Sequence, residues 1–243
     1  MLYTRFYDQV LTEITAGKVS DGINLLVGML DTVDIGPGSL AQAKRELSGH
    51  SLARMLLEDP TIADAEARPN DVTARIGMIG EATPATDISS TGRRLFEVTR
   101  ELTFARALRQ RREGFAARYA RASQLRQKVC VLTEHHEDTL DSAGEFDLIL
   151  APDLFDHSIE AALSNILKSA ATSLSANGTI IAAALLPHHL GAGWRSACLN
   201  WNPHCHDEAA LARIAANAEL SARTYRDETD CIIWGELGAR HGG

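Results

Sequence analysis

From residue 2 to residue 30 the apolar positions fall at helical spacing: Phe6, Val10 and Ile14, then Ile23, Leu26, Val27 and Leu30. Gly17 divides this run and predicts two helices in place of one. The turn DIGPGS follows, with Ser39 as candidate N-cap of a third helix that carries Leu40, Ala43 and Leu47. The stretch SLARMLL continues the same pattern towards EDP. Residues 58–90 are interrupted by Pro60, Pro69, Gly77, Gly80 and Pro84 and read as loop-rich. A long helix is predicted from about Ser90 to Arg126, with Leu95, Val98, Leu102, Leu108 and Phe115 on its apolar side.

After Arg126 the period changes. KVCVL (128–132) is a short β-rich run, and FDLIL (146–150) is a continuous apolar run, as a strand covered on both faces requires. Ser158 is a candidate cap for a helix bearing Ile159, Leu163, Ile166, Leu167, Ala170 and Leu174. SANG ends that helix, with Gly178 suited to the left-handed position, and TIIAAALL (179–186) reads as the next buried strand. Residues 207–219 read as helix, and LSARTYR and CIIWGEL as an antiparallel pair across DETD. Strand, helix, strand with a short stop is a βαβ unit, so part of this chain is an α/β sheet.

The 243 residues are 45% hydrophobic and 23% charged, enough for one large domain or two small ones. No apolar run reaches membrane-spanning length and the first ten residues lack a signal-type apolar region, so a cytoplasmic protein is expected. Cys130, Cys198, Cys205 and Cys231 are scattered without zinc spacing and fit reduced thiols. The net charge is −8, yet residues 93–128 hold eleven Lys/Arg against three Glu, a local +8 in a remainder of −16. That acidic remainder argues against nucleic acid as a partner. The basic segment is either a solvated helix or a surface for a small anion or an acidic protein.

A resemblance emerges from the order of these pieces. FDLILAPDLFDH followed by ILKSAATSLSANGTIIAAALL looks like the fourth strand, its helix and the fifth strand of class I S-adenosylmethionine-dependent methyltransferases. GWRSACLNWNPHCHDEAALARIA and SARTYRDETDCIIWGEL resemble the later segments of the branch named for extracellular-factor, 3-hydroxypalmitate methyl ester biosynthesis. HSLARMLLEDPTIADAEARPND and STGRRLFEVTRELTFARALRQRRE resemble that branch's helical N-terminal region. The resemblance implies an α/β fold in two parts. Residues 1–126 form a helical N-terminal region. Residues 127–243 form a truncated Rossmann-like methyltransferase sheet ending in an antiparallel strand pair.

The departures from that family are as informative. Its members open the sheet with a strand and a glycine-rich loop, then a helix and a second strand ending in an acid for the cofactor's ribose. Between Arg126 and Glu145 there are eighteen residues, whose sole glycine is Gly144. One βαβ unit takes roughly 30 residues or more. The cofactor loop and the ribose acid therefore have no room, and no cofactor is expected. A sheet shortened in this way has an unpaired edge near 128–132 or 146–150, and such edges are normally covered. The N-terminal helices, a partner protein or a further copy would do so.

In open α/β sheets ligands sit at the carboxyl ends of strands. Those ends here carry Asp153, Phe155, Asp156 and His157 after one strand and His188 and His189 after the next. Imidazole exchanges protons near neutrality, so Asp156, His157 and His188 are the candidate catalytic residues. Asp153, Phe155, His189 and Trp201 are candidates for holding substrate, with Arg106 and Arg109 of the stripe Arg106, Arg109, Arg112. Each also has an ordinary reading: Asp156 as a cap, His188–His189 as a solvated turn, the arginines as a wet helix face. Glu134–Asp138 with His135 and His136 read as a polar loop and no metal is expected. His204 and His206 flank Cys205 ahead of Asp207, a candidate helix cap.

The expected function is a repurposed methyltransferase-like enzyme that does not use S-adenosylmethionine. It would act on a small natural-product intermediate by intramolecular displacement or elimination, with an anionic leaving group such as sulfate, closing a small ring. A partner subunit would cover the truncated edge. A non-catalytic pseudo-methyltransferase subunit and a genuine S-adenosylmethionine-dependent methyltransferase are the alternatives.

Overall fold

The structure is a computed structural model that describes residues 2–33, 37–69, 71, 76–79, 88–133 and 145–239. The chain divides into two compact units. Unit 1 comprises residues 1–109 and 190–202, and unit 2 comprises residues 110–189 and 203–243. The sequence reading placed one boundary at 126/127; the units instead divide within a helix and exchange the 190–202 segment.

Unit 1 is helical. It contains α1 (Thr4–Thr15), α2 (Val19–Thr32), α3 (Pro37–Ser48), α4 (Ser51–Leu56), α5 (Pro60–Ala67), α6 (Ser90–Thr99) and the first residues of α7 (Thr103–Gln124). Gly17 adopts φ +83 between α1 and α2, a conformation open to glycine without cost, and so makes the predicted break. The buried face of α1 is Tyr7, Val10 and Ile14, with Tyr7 where the sequence pattern chose Phe6. The Tyr7 hydroxyl donates to Ala43 O at 2.8 Å, which makes a fully buried phenol tolerable. Each fully buried aliphatic of α2, Ile23, Leu26 and Leu30, contributes roughly 1.5–3 kcal/mol of transfer free energy.

Four predicted boundaries in unit 1 differ from those observed. Ser39 lies inside α3 and does not precede it. SLARMLL does not extend α3: α4 is separate, with the His50 ring accepting from Leu52 N at 3.1 Å as its cap. Asp59 caps a helix, α5, inside the stretch read as loop. The predicted long helix is broken at residues 100–102, where Glu101 N and Leu102 N bond back only three residues, to Val98 O and Thr99 O. The buried Asp59 carboxylate accepts from the Thr99 hydroxyl at 2.5 Å beside the break.

The 190–202 segment carries a later helix of unit 1, Ala192–Cys198. Asp31, at the end of α2, accepts from Gly191 N at 2.6 Å and Gly193 N at 2.8 Å. A Cβ on Gly193 would stand 2.2 Å from Leu30 O, so only glycine permits this approach of backbone to backbone.

Unit 2 is a five-stranded mixed sheet with helices. Its elements after α7 are β1 (Val129–Val131), β2 (Phe146–Ala151), α8 (Leu154–His157), α9 (Glu160–Thr172) and β3 (Leu174–Leu185). With α10 the Ala192–Cys198 helix of unit 1, α11 (Glu208–Asn217), β4 (Leu220–Arg226) and β5 (Ile232–Ala239) complete it. The strand order is β1-β2-β3-β5-β4. β1, β2 and β3 run parallel; β5 is antiparallel to β3 and β4. This is the truncated sheet with a terminal antiparallel pair that the sequence implied. β2 has neighbours on both sides, so of the two candidate edges it is β1 that ends the sheet among the described residues. Phe146, Ile149, Leu163, Leu167, Ile180, Ile214 and Ile233 meet in one apolar core.

Two local expectations fail around α9. α9 stops at Thr172, with its C-cap Ser173 N returning to Ala170 O, so LSANG is already strand and Gly178 has no left-handed φ. A Cβ at Gly178 would meet Phe146 O at 2.7 Å, so strand proximity and not a helix stop requires this glycine. Likewise Ser158 does not cap α9; Ile159 stands at the N-cap without a side-chain bond. Asp207 caps α11 as read, accepting from Ala210 N at 2.8 Å. Among the described residues no helix is long and apolar enough to cross a membrane.

Candidate functional site at the end of strand β2

β2 delivers the chain at Ala151 to Pro152 and Asp153, and the single turn α8 follows. Leu154 and Phe155 are pulled into the core, 1% and 0% exposed, and this fixes the orientation of the acidic residues around them. Asp156 is carried inward and Asp153 stays half-exposed at the rim.

The partner of both carboxylates is Arg111. Its Nη2 donates to Asp156 Oδ2 at 2.8 Å and to Asp153 Oδ1 at 3.1 Å. The side chains of Arg111 and Asp156 are 3% and 0% exposed, whereas Asp153 retains 49%. Burial opposes the charge on Arg111, but the Asp156 and then the Asp153 carboxylates outweigh it and hold the guanidinium above its ordinary value. Burial pushes the Asp153 carboxyl up; Arg111 opposes the shift, Asp156 adds to it, and His157 and Arg112 lie close enough to oppose it in turn. One donor serves two acceptors, while Arg111 Nη1 and Asp156 Oδ1 are buried with no hydrogen-bond partner among the described residues. With one guanidinium and two carboxylates, the cluster is formally −1.

A second layer holds this loop from behind. His204 N donates to Asp156 O at 2.9 Å, and His206 N donates to Leu185 O at 2.9 Å. The His206 ring bonds Phe155 O through Nε2 at 3.1 Å, which makes Nε2 the protonated nitrogen, and stands edge-on to the Phe155 ring. Burial lowers the pKa of this imidazole. His204 is exposed and His206 buried, so the two do not present a shared ligand pair.

Of the residues read from the sequence, Asp153, Asp156 and His157 come together here. Phe155 belongs to the core. His188 is exposed beyond β3 and His189 is buried. Arg106, Arg109 and Trp201 belong to unit 1. Arg106 is exposed; Arg109 donates to Arg100 O, a carbonyl freed at the helix break, and pairs with Glu101 at 3.1 Å. Trp201 is buried with the Arg195 guanidinium over its ring. Glu134–Asp138 lie outside the described residues; among the described residues no three His, Cys, Asp or Glu side chains form a metal set. Arg111 was not singled out by the sequence reading, and His206 was named only beside His204 and Cys205. Arg111 had a signal: it is in register with Leu108, Phe115 and Ala122, and an arginine in an apolar helical stripe demands a buried counter-charge.

The family the sequence resembles holds the ribose of S-adenosylmethionine on an acid that ends a second strand beside the first. β1 is the end strand of the sheet and pairs directly with β2, so no second strand stands beside it, among the described residues, to offer a ribose acid.

No family model matches the chain, and no curated protein matches it. Among solved structures it is similar to an O-methyltransferase of neocarzinostatin biosynthesis in complex with S-adenosyl-L-homocysteine and 1,4-dihydroxy-2-naphthoic acid, at 17% identity and TM-score 0.33 over 40% of this chain. It is similar to OxaC at 13% identity and TM-score 0.37 over 46% of this chain. It is similar to magnesium protoporphyrin IX methyltransferase from Synechocystis PCC 6803, at 18% identity and TM-score 0.34 over 42% of this chain. The chain covers 30%, 35% and 49% of the length of these three. Similarity at this level carries no argument about activity, and the assignment of fold class rests on the strand order itself.

Proposed function

We propose that this methyltransferase-like chain is an enzyme that does not use S-adenosylmethionine, and that it carries out an intramolecular displacement on a small amine-bearing intermediate. The observation that carries the reading is Asp153: a half-exposed carboxylate at the carboxyl end of β2, anchored on the buried Arg111–Asp156 pair. A raised pKa and an exposed oxygen suit it to accept a proton. In the proposed step the amine nitrogen forms a bond to a carbon of the same molecule as the bond from that carbon to a sulfate-type oxygen breaks. The leaving group departs with the electron pair, and Asp153, or His157 beside it, takes the proton from nitrogen. Asp156 is neutralised by Arg111, and the accessible charge of Asp153 favours an amine beside it. The exposed Arg112, near enough to act on Asp153, is suited to meet the departing anion. Asp156 acts as a positioning residue.

The β1 edge, three residues long, favours the partner subunit also expected from the sequence. A cytoplasmic location belongs to the same reading.

The test is genetic and chemical. A strain lacking the gene is complemented with the wild type or with Asp153→Asn, His157→Gln or His188→Gln, and intermediates are followed by mass spectrometry. The proposal expects Asp153→Asn to accumulate an uncyclised precursor that retains its leaving group. Full complementation by all three variants would overturn it.

A further inference from the structure

Unit 1 holds a cavity of about 130 Å³ that the foregoing reading does not use. Its walls are Leu47, Ala53, Leu56, Ile62, Ala197 and Cys198, contributed by α3, α4, α5 and α10. It opens to solvent beside Ser48, Leu57 and Glu66, and its volume is close to the roughly 150 Å³ that holds a benzene-sized molecule, so it suits a single ring or a short alkyl chain. Cys198 behaves as part of the apolar wall: burial pushes its thiol up, and it stays protonated at neutral pH.

One charged group of the lining points to the other half of the ligand. Lys44 is half-buried, and its ammonium lies near enough to Cys198 to act on the thiol. Its hydrogen bond goes to a neutral acceptor, Asn200 Oδ1. Asn200 is held in the left-handed region at φ 48, and its amide donates to Ala65 O and to Glu66 Oε2, both at 3.4 Å. Backbone strain of this kind persists only where the surroundings fix it. Glu66, also of the lining, is exposed, and its carboxylate meets the amide nitrogen of Asn200 while Lys44 meets the amide oxygen, so solvent screens Glu66 more than it screens the half-buried ammonium. A half-buried ammonium bonded to an amide, above an apolar floor, is complementary to an anion with an apolar body. We propose that unit 1 carries a binding site for a small organic carboxylate, with one ring or a short chain in the cavity and the carboxylate on Lys44.

The full chain is titrated calorimetrically with benzoate, with benzamide as neutral isostere, and methyl resonances of Ala53 and Ala197 are followed by NMR. Benzoate is expected to bind saturably, more tightly than benzamide, and to shift those methyls. Lys44→Met is expected to weaken benzoate about tenfold, the value of one charge-assisted hydrogen bond, and to leave benzamide unchanged, which also shows that the variant is folded. Ala53→Phe fills the cavity and is expected to abolish both. No saturation by benzoate up to about 10 mM, equal affinity for the two probes, or undiminished benzoate binding by Lys44→Met would each overturn the proposal.

Discussion

Replacing Arg111 by methionine removes one charge and keeps most of the side-chain volume, so it isolates the worth of the buried pair. Asp156, 0% exposed, would then be a carboxylate without a cation, since the Arg111 Nη2 contact at 2.8 Å is its only charged neighbour within bonding distance among the described residues. Removing one partner of a buried pair costs about 3–5 kcal/mol, because an uncompensated charge is left behind. The contact to half-exposed Asp153 adds little, as exposed pairs are worth about 0–1 kcal/mol. The buried term therefore sets the outcome. In a chain of this size each kcal/mol shifts Tm by about 2–4 °C, which gives a fall of roughly 6–20 °C for the transition that includes unit 2. Differential scanning calorimetry measures it, with Asp156→Leu and the double variant completing a cycle. The double variant should recover most of the loss, because well-packed apolar replacements of a buried pair are close to neutral. A loss below about 1 kcal/mol for Arg111→Met, or additive losses in the cycle, would refute the reasoning.

Two further predictions concern His206, behind this cluster, and Gly193, in unit 1. Burial lowers the folded-state pKa of His206, so its contribution to stability is present above about pH 6.5 and is lost as pH falls through the lowered value. His206→Gln keeps a donor for Phe155 O and removes the titration, so its Tm should fall less than that of the wild type between neutral and acid pH; parallel profiles would contradict this. Gly193→Ala places a Cβ against Leu30 O and should cost about 1–3 kcal/mol by chemical denaturation, with an unchanged midpoint as the contrary result.

How much of this was legible depends on whether the signal was local. Strand β2, helix α9 and the β4–β5 pair carry uninterrupted apolar runs or a short turn, and these were read directly. The sheet's truncation was legible from chain length alone, since eighteen residues cannot hold the missing elements. The break in the helix at residues 100–102 was not, because the apolar period runs through it and the partner that stabilises it, Asp59, is forty residues away. Gly178 was misplaced for a related reason. Helix stop and close strand approach both demand glycine, and only the neighbouring strand distinguishes them. Asp153, Asp156 and His157 are candidates in the sequence because they follow a strand end. Arg111 arrives from another element and lies in sequence between Arg109 and Arg112, whose helical spacing with Arg106 is the more visible pattern. The roles also changed with burial: Asp156 is anchored inside, and the accessible carboxylate is Asp153.

The central claim is that the methyltransferase-like sheet is used without the methyl donor. Isothermal titration of the full chain with S-adenosylmethionine tests it directly. The account predicts no saturable heat; binding with a micromolar Kd would contradict it.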